Sequence, residues 1–195
     1  MRKIIGLTGP TGAGKSGIKK IAQTMGFKFV DCDILARKAV VKGSEGLNAL
    51  VAVFGNEILN IDGSLNRKIL AKMAFGKPAN TELLNKTLLP HIKVLAIKEL
   101  AEDVNIIFDA PTLFESGLNE ICDKTIAVLS DQKIRLCRII QRDSITEMEA
   151  QMRISAGKND EFYKGRADYI VYNNGGIAEF ESEISHILIE IIGGR

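Results

Sequence analysis

The sequence predicts an α/β fold of three layers, a five-stranded parallel sheet with helices on both faces. Three observations carry that expectation. Five short runs, at 3–7, 28–31, 105–109, 125–129 and 169–172, are continuously apolar rather than alternating, as strands covered on both sides are. Segments with helical periodicity separate them, and strand–helix alternation calls for parallel strands joined by crossovers. A glycine-rich loop directly follows the first run and directly precedes a helix.

Along the chain, KIIGL at 3–7 reads as the first strand, Gly9 to Ser16 as a loop and 15–25 as a helix. KFVD at 28–31 is the second strand, followed by helices at about 33–42, 44–54, 66–75 and 80–101. More than seventy residues thus separate the second strand from the third, too many for one crossover helix. We read 43–100 as a helical insertion in one domain spanning 1–195. The third and fourth strands, NIIFD at 105–109 and TIAVL at 125–129, lead to helices at 131–142 and 145–157. YIVY at 169–172 and a helix at 177–192 close the fold. The polar segment 144–166, with Arg153, Lys158, Lys164 and Arg166, reads either as a solvated helical hairpin or as a mobile lid.

Composition narrows the function classes. Apolar residues make up 46% and charged residues 26% of 195 residues, a balance that fills a core. A net charge of +2 predicts no broad nucleic-acid or membrane-surface role. No apolar stretch reaches 18 residues, and the N-terminal run is broken by Gly6, Thr8 and Gly9, unlike an export signal. Cys32, Cys122 and Cys137 lack ligand spacing, and His91 and His186 are the only histidines, so reduced thiols and a cytoplasmic location are expected rather than a zinc site.

Gly9-Pro10-Thr11-Gly12-Ala13-Gly14-Lys15-Ser16 matches the phosphate-loop pattern in full. Glycines let backbone N–H groups close around an anion, and the helix that follows adds its positive end. Lys15 is expected to reach the β- and γ-phosphates of a nucleotide, and the Ser16 hydroxyl to ligate Mg²⁺. Pro10 has no N–H to offer. Gly17 in the first helical turn costs about 1 kcal/mol relative to alanine.

The loop alone does not set the reaction. Asn85-Lys86-Thr87-Leu88 has leucine where a guanine-reading motif needs aspartate. Asp31 and Asp33 end the second strand and Asp109 ends the third, the sheet edge where open α/β folds bind ligands. A carboxylate there can hold Mg²⁺ through water or accept a proton from an attacking hydroxyl. Asp33 can equally be a helix N-cap. Arg135, Arg138 and Arg142 fall at helical spacing on one face, either as a solvated row or as a phosphate clamp.

Taken together, these motifs resemble the dephospho-coenzyme A kinase family over nearly the whole length. The match rests on GLTGPTGAGKS at 6–16, Asp31-Cys32-Asp33 with Arg37, FGNEILNIDGSLNRKIL at 54–70, DAPTLFE at 109–115, RIIQRD at 138–143 and ADYIVYNNG at 167–175. The resemblance implies a P-loop kinase fold and transfer of the γ-phosphoryl of ATP to the ribose 3′-hydroxyl of dephospho-coenzyme A, with Mg²⁺. It implies that residues 10–17 and Arg138 hold the nucleotide, that Asp33 serves as base or orienting acceptor, and that Arg142 stabilises the transferring phosphoryl. Arg67 in the insertion, Asp109 and Leu113 would hold the acceptor, Asp31 or Asp109 would hold Mg²⁺ through water, and 144–166 would be the lid. A monomer or weak homo-oligomer is expected. Pro10, Gly17, Leu89, Thr112 and Gly157 depart from the family's usual residues. Another small-molecule kinase, such as a nucleoside monophosphate kinase, and a non-catalytic nucleotide-binding regulator are the rival readings; Asp31-x-Asp33 together with Leu113-Phe114-Glu115 and Arg67 separates the first from this one, and Asp33 with the arginine helix separates the second.

Overall fold

The computed structural model describes residues 2–75 and 77–193. The elements run β1 (Ile4–Thr8), α1 (Gly17–Thr24), β2 (Lys28–Asp31), α2 (Cys32–Ala39), α3 (Glu45–Phe54), α4 (Arg67–Phe75), α5 (Pro78–Glu99), β3 (Ile106–Asp109), β4 (Lys124–Leu129), α6 (Gln132–Asp143), α7 (Glu147–Ser155), α8 (Asp160–Lys164), β5 (Tyr169–Tyr172) and α9 (Ile177–Gly193). The sheet has five parallel strands in the order β2-β3-β1-β4-β5. The chain builds one side of β1 first and then turns to the other, so the direction reverses at the carboxyl end of β1, where ligands of open α/β sheets bind.

The fold divides into two compact units, one from residues up to Val30 together with those from Asp103 onward, the other Asp31–Glu102. The helical unit therefore begins at Asp31, ahead of the insertion boundary expected at 43. In the first unit, alternate residues of β1 serve opposite faces. Ile5 and Leu7 join Ile126, Val128 and Val171 beneath α1 and α9, packing on Ile18, Ala22, Phe180, Ile184 and Leu188. On the other face Ala127 and Leu129 meet Tyr163, with Phe114 and Phe162 alongside.

Gly6 belongs to that second face, and a Cβ there would lie 2.8 Å from a Leu113 methyl. Asp168 ties β4 to β5, accepting from Thr125 N at 2.8 Å, Thr125 Oγ1 at 2.7 Å and Lys124 Nζ at 3.1 Å. In the second unit, Val40, Leu50, Phe54, Ile58, Leu70, Ala74 and Leu84 form a core of their own. The Asp62-Gly63 turn is closed by Asn60 N donating to Ser64 O at 2.8 Å and Ser64 N donating to Asp62 Oδ1 at 2.9 Å. Among the described residues no helix is long and apolar enough to cross a membrane.

Candidate active site

The loop after β1 owes its path to three glycines. Gly9 takes φ +142° where a Cβ would run into the Val128 carbonyl. Gly12, at φ +80°, lies so close to α6 that a Cβ would sit 2.8 Å from the Arg135 carbonyl. Gly14, at φ +92°, lies against the Asn173 side chain. These left-handed values strain any other residue, and the neighbours leave no room for one.

Three of the loop's carbonyls, those of Thr11, Gly12 and Ala13, meet donors from distant parts of the chain, while Pro10 O and Gly14 O accept locally from Ala13 N and Gly17 N, each at 3.2 Å. Arg135 Nε donates to Thr11 O at 3.0 Å. Arg138 Nη1 donates to Gly12 O at 3.4 Å and Ala13 O at 3.2 Å. Asn173 Nδ2 adds a bond to Ala13 O at 3.0 Å. A trans peptide turns its N–H opposite to its C=O, so the N–H groups of Gly12 and Gly14 point away from the donors that hold the Thr11 and Ala13 carbonyls. Anion-holding N–H groups are thus preset by bonds made on the loop's outer side.

Lys15 Nζ donates to Gly9 O at 3.1 Å, across the mouth of the loop. Helix α1 begins at Gly17 rather than at Lys15 as the sequence suggests, with Ser16 as its N-cap. The Ser16 side chain makes no capping bond. An N-cap serine ordinarily uses its hydroxyl for that bond; here the hydroxyl is not spent on the cap. Asp109 pairs in register with Leu7 at the end of β3, which puts its carboxylate on the strand next to the one that feeds the loop. Both oxygens suit Mg²⁺, which keeps most of its waters and takes few protein ligands.

The arginines of α6 divide their work. Arg135 is buried, Arg138 is partly buried and Arg142 is exposed. The first two hold the loop from outside. Arg138 also donates through Nη2 to Asn173 O at 3.1 Å and Oδ1 at 3.2 Å. Arg142 makes paired bonds to Asp143 at 2.8 and 2.9 Å, and Arg153 bonds the same carboxylate. The Arg142 bonds, more than burial opposes, hold the Asp143 carboxyl below its usual pKa. Ser144 follows at φ +52°, a left-handed turn between α6 and α7.

Leu113 is fully buried against Gly6 and offers no surface to a ligand, so the expected substrate contact is corrected to a core position. Asn173 was missed as a functional residue; the signal was an amide residue directly after an apolar strand at the loop edge of the sheet. In the helical unit, Asp31 rather than Asp33 caps α2, accepting from Asp33 N at 2.8 Å and Ile34 N at 3.3 Å. Asp33 is exposed in the first turn, its side chain not used as the cap. Arg67 is exposed at the start of α4.

Comparison with known proteins agrees with this geometry. The family model described as dephospho-CoA kinase matches residues 3–179. A curated dephospho-CoA kinase of Enterococcus faecalis is 36% identical over 199 aligned positions, covering 100% of both chains. One from Listeria monocytogenes is 37% identical over 189 positions and covers 94% of each chain. The solved dephospho-CoA kinase of Campylobacter jejuni superposes with a TM-score of 0.73 at 26% identity, covering 100% of this chain and 99% of that one. With a phosphate loop held in this way on a five-stranded parallel sheet, and a family match running through nearly every element, the chain belongs to the dephospho-CoA kinase family.

Proposed function

We propose that the chain moves the γ-phosphoryl group of ATP onto the ribose 3′-hydroxyl of dephospho-coenzyme A, with Lys15, Asp33 and Arg142 as its catalytic residues. The observation that supports this reading is the phosphate loop, whose Thr11, Gly12 and Ala13 carbonyls are held from outside by Arg135, Arg138 and Asn173.

Residues 10–17 seat the triphosphate, with Lys15 leaving Gly9 O for the β- and γ-oxygens. Mg²⁺, when bound, would neutralise phosphate charge; the Ser16 hydroxyl would hold it, with Asp109 or Asp31 acting through water. Asp33 accepts the proton of the attacking hydroxyl as the O3′–Pγ bond forms and the bond from Pγ to the β-bridging oxygen breaks, releasing ADP. Arg142 exchanges Asp143 for the transferring phosphoryl, and Arg67 helps hold the acceptor. Arg138 acts on the nucleotide through the loop it supports. The segment 144–166 serves as the lid. Most of the acceleration comes from positioning and charge neutralisation, as phosphoryl transfer demands little covalent help.

ADP release should be fast with dephospho-coenzyme A and near background with nucleoside monophosphates or no acceptor. Asp33→Asn should lower kcat more than about 100-fold while ATP binding persists, the upper range of a lost general base. Equal turnover with AMP would move the chain to the monophosphate kinases. Near-normal turnover in Asp33→Asn would remove that residue from the chemistry.

A further inference from the structure

Arg135 stands apart from the other two arginines of α6. Its side chain is only 6% exposed, and Nε holds the Thr11 carbonyl of the phosphate loop. Its Nη1 lies 3.8 Å from Asp160 Oδ1, within ion-pair range but beyond a hydrogen bond. Nη2 is buried and, among the described residues, has no hydrogen-bond partner. Beside it lies a cavity of about 370 Å³ lined by Ser130, Gln132, Lys158, Asn159 and Asp160 as well as Arg135.

A buried guanidinium with an unmade donor is costly, and the cost falls as a partner closes on it. Asp160 is the first residue of α8, capped by Asn159, inside the segment we read as the lid. A shift of α8 toward α6 by about an ångström would bring the carboxylate within hydrogen-bond distance of the guanidinium and narrow the cavity. The same guanidinium sets the peptide that presents the Gly12 N–H to a phosphate. Loop and lid therefore share one buried charge.

We propose that Arg135 and Asp160 form a positioning pair that couples triphosphate binding on the loop to seating of α8. It rests on the reading of the loop as the ATP site. A triphosphate that orders the Thr11–Gly12 peptide steadies Arg135, and a steadied Arg135 draws in Asp160. By reciprocity, a seated α8 tightens ATP binding.

The test uses the full chain as wild type, Asp160→Asn and Asp160→Glu. KM for ATP and kcat come from ADP release with dephospho-coenzyme A. Amide exchange across 160–164 is followed with and without a non-hydrolysable ATP analogue, and thermal unfolding is recorded without nucleotide. Asp160→Asn should raise KM for ATP about 5-fold with kcat little changed, the low end of allosteric coupling. It should lose the analogue-dependent protection of α8 and keep the melting temperature of the nucleotide-free protein. Asp160→Glu should restore KM and protection. Unchanged KM and protection in Asp160→Asn overturn the proposal. So does a matching loss of nucleotide-free stability, which makes the pair static, or a Glu variant as impaired as Asn. A wild type that binds the analogue but fails to phosphorylate dephospho-coenzyme A would sink the kinase reading while the exchange experiment still judges the pair.

Discussion

The phosphate loop and the 144–166 segment lie in one compact unit, but they are held by different forces. The loop is tied from outside by donors far away in sequence, Arg135 and Arg138 on α6 and Asn173 beyond β5. Its Ala13 is buried in the main core. The 144–166 segment relies on neighbours. Thr146 and Glu149 form a capping box, Asn159 caps α8, and Lys164 pairs with Glu161 on the surface. Ile139, Ala150 and Ile154 form a small satellite core beneath α7. Met148 and Met152 face solvent.

Local bonds and exposed ion pairs open at small cost, whereas buried bonds between distant parts of a chain open only with the fold. An anion cradle has to be preset to stabilise charge at the moment of reaction. A cover has to move to admit substrate and release product. The distribution of bonds fits those two demands.

Four substitutions bear on this contrast. Lys15→Ala should have the largest effect, lowering turnover about 1,000-fold or more by removing the charge at the loop's mouth; a coupled ADP assay reads it, and retained activity would mean that the backbone cradle suffices. Gly12→Ala attacks the cradle itself. With a left-handed φ and a Cβ driven 2.8 Å from the Arg135 carbonyl, it should destabilise the protein by about 2–4 kcal/mol in urea unfolding.

Arg142→Ala should lower kcat about 10- to 100-fold at nearly unchanged KM for ATP, as expected of a group engaged only in the transition state. A weaker KM alone would make it a ground-state clamp. Thr146→Ala removes the capping box of α7 and should cost about 1 kcal/mol, read as faster amide exchange confined to the 144–166 segment. Exchange accelerated equally in β1 and the loop would erase the distinction between the two regions.

Asn173 and Leu113 show where the tertiary structure had the deciding voice. Both follow strands in motifs that the sequence singles out. One proves to be a strut of the phosphate loop and the other a core residue sealing Gly6. The aspartates of α2 behave alike: spacing permits either to cap the helix, and backbone direction selects Asp31 and leaves Asp33 exposed.

What the amino-acid sequence determined alone was whatever depends on near neighbours. Continuous apolar runs set the five strands, helical periodicity set the helices to within a few residues, and Gly9 to Ser16 declared a phosphate loop, because each of these is written within about a dozen residues. The division of labour among Arg135, Arg138 and Arg142 was decided only by folding. Their acceptors lie as many as 126 positions away in the chain, and three arginines at helical spacing look alike until the loop packs against them and distinguishes the two that hold it from the exposed one.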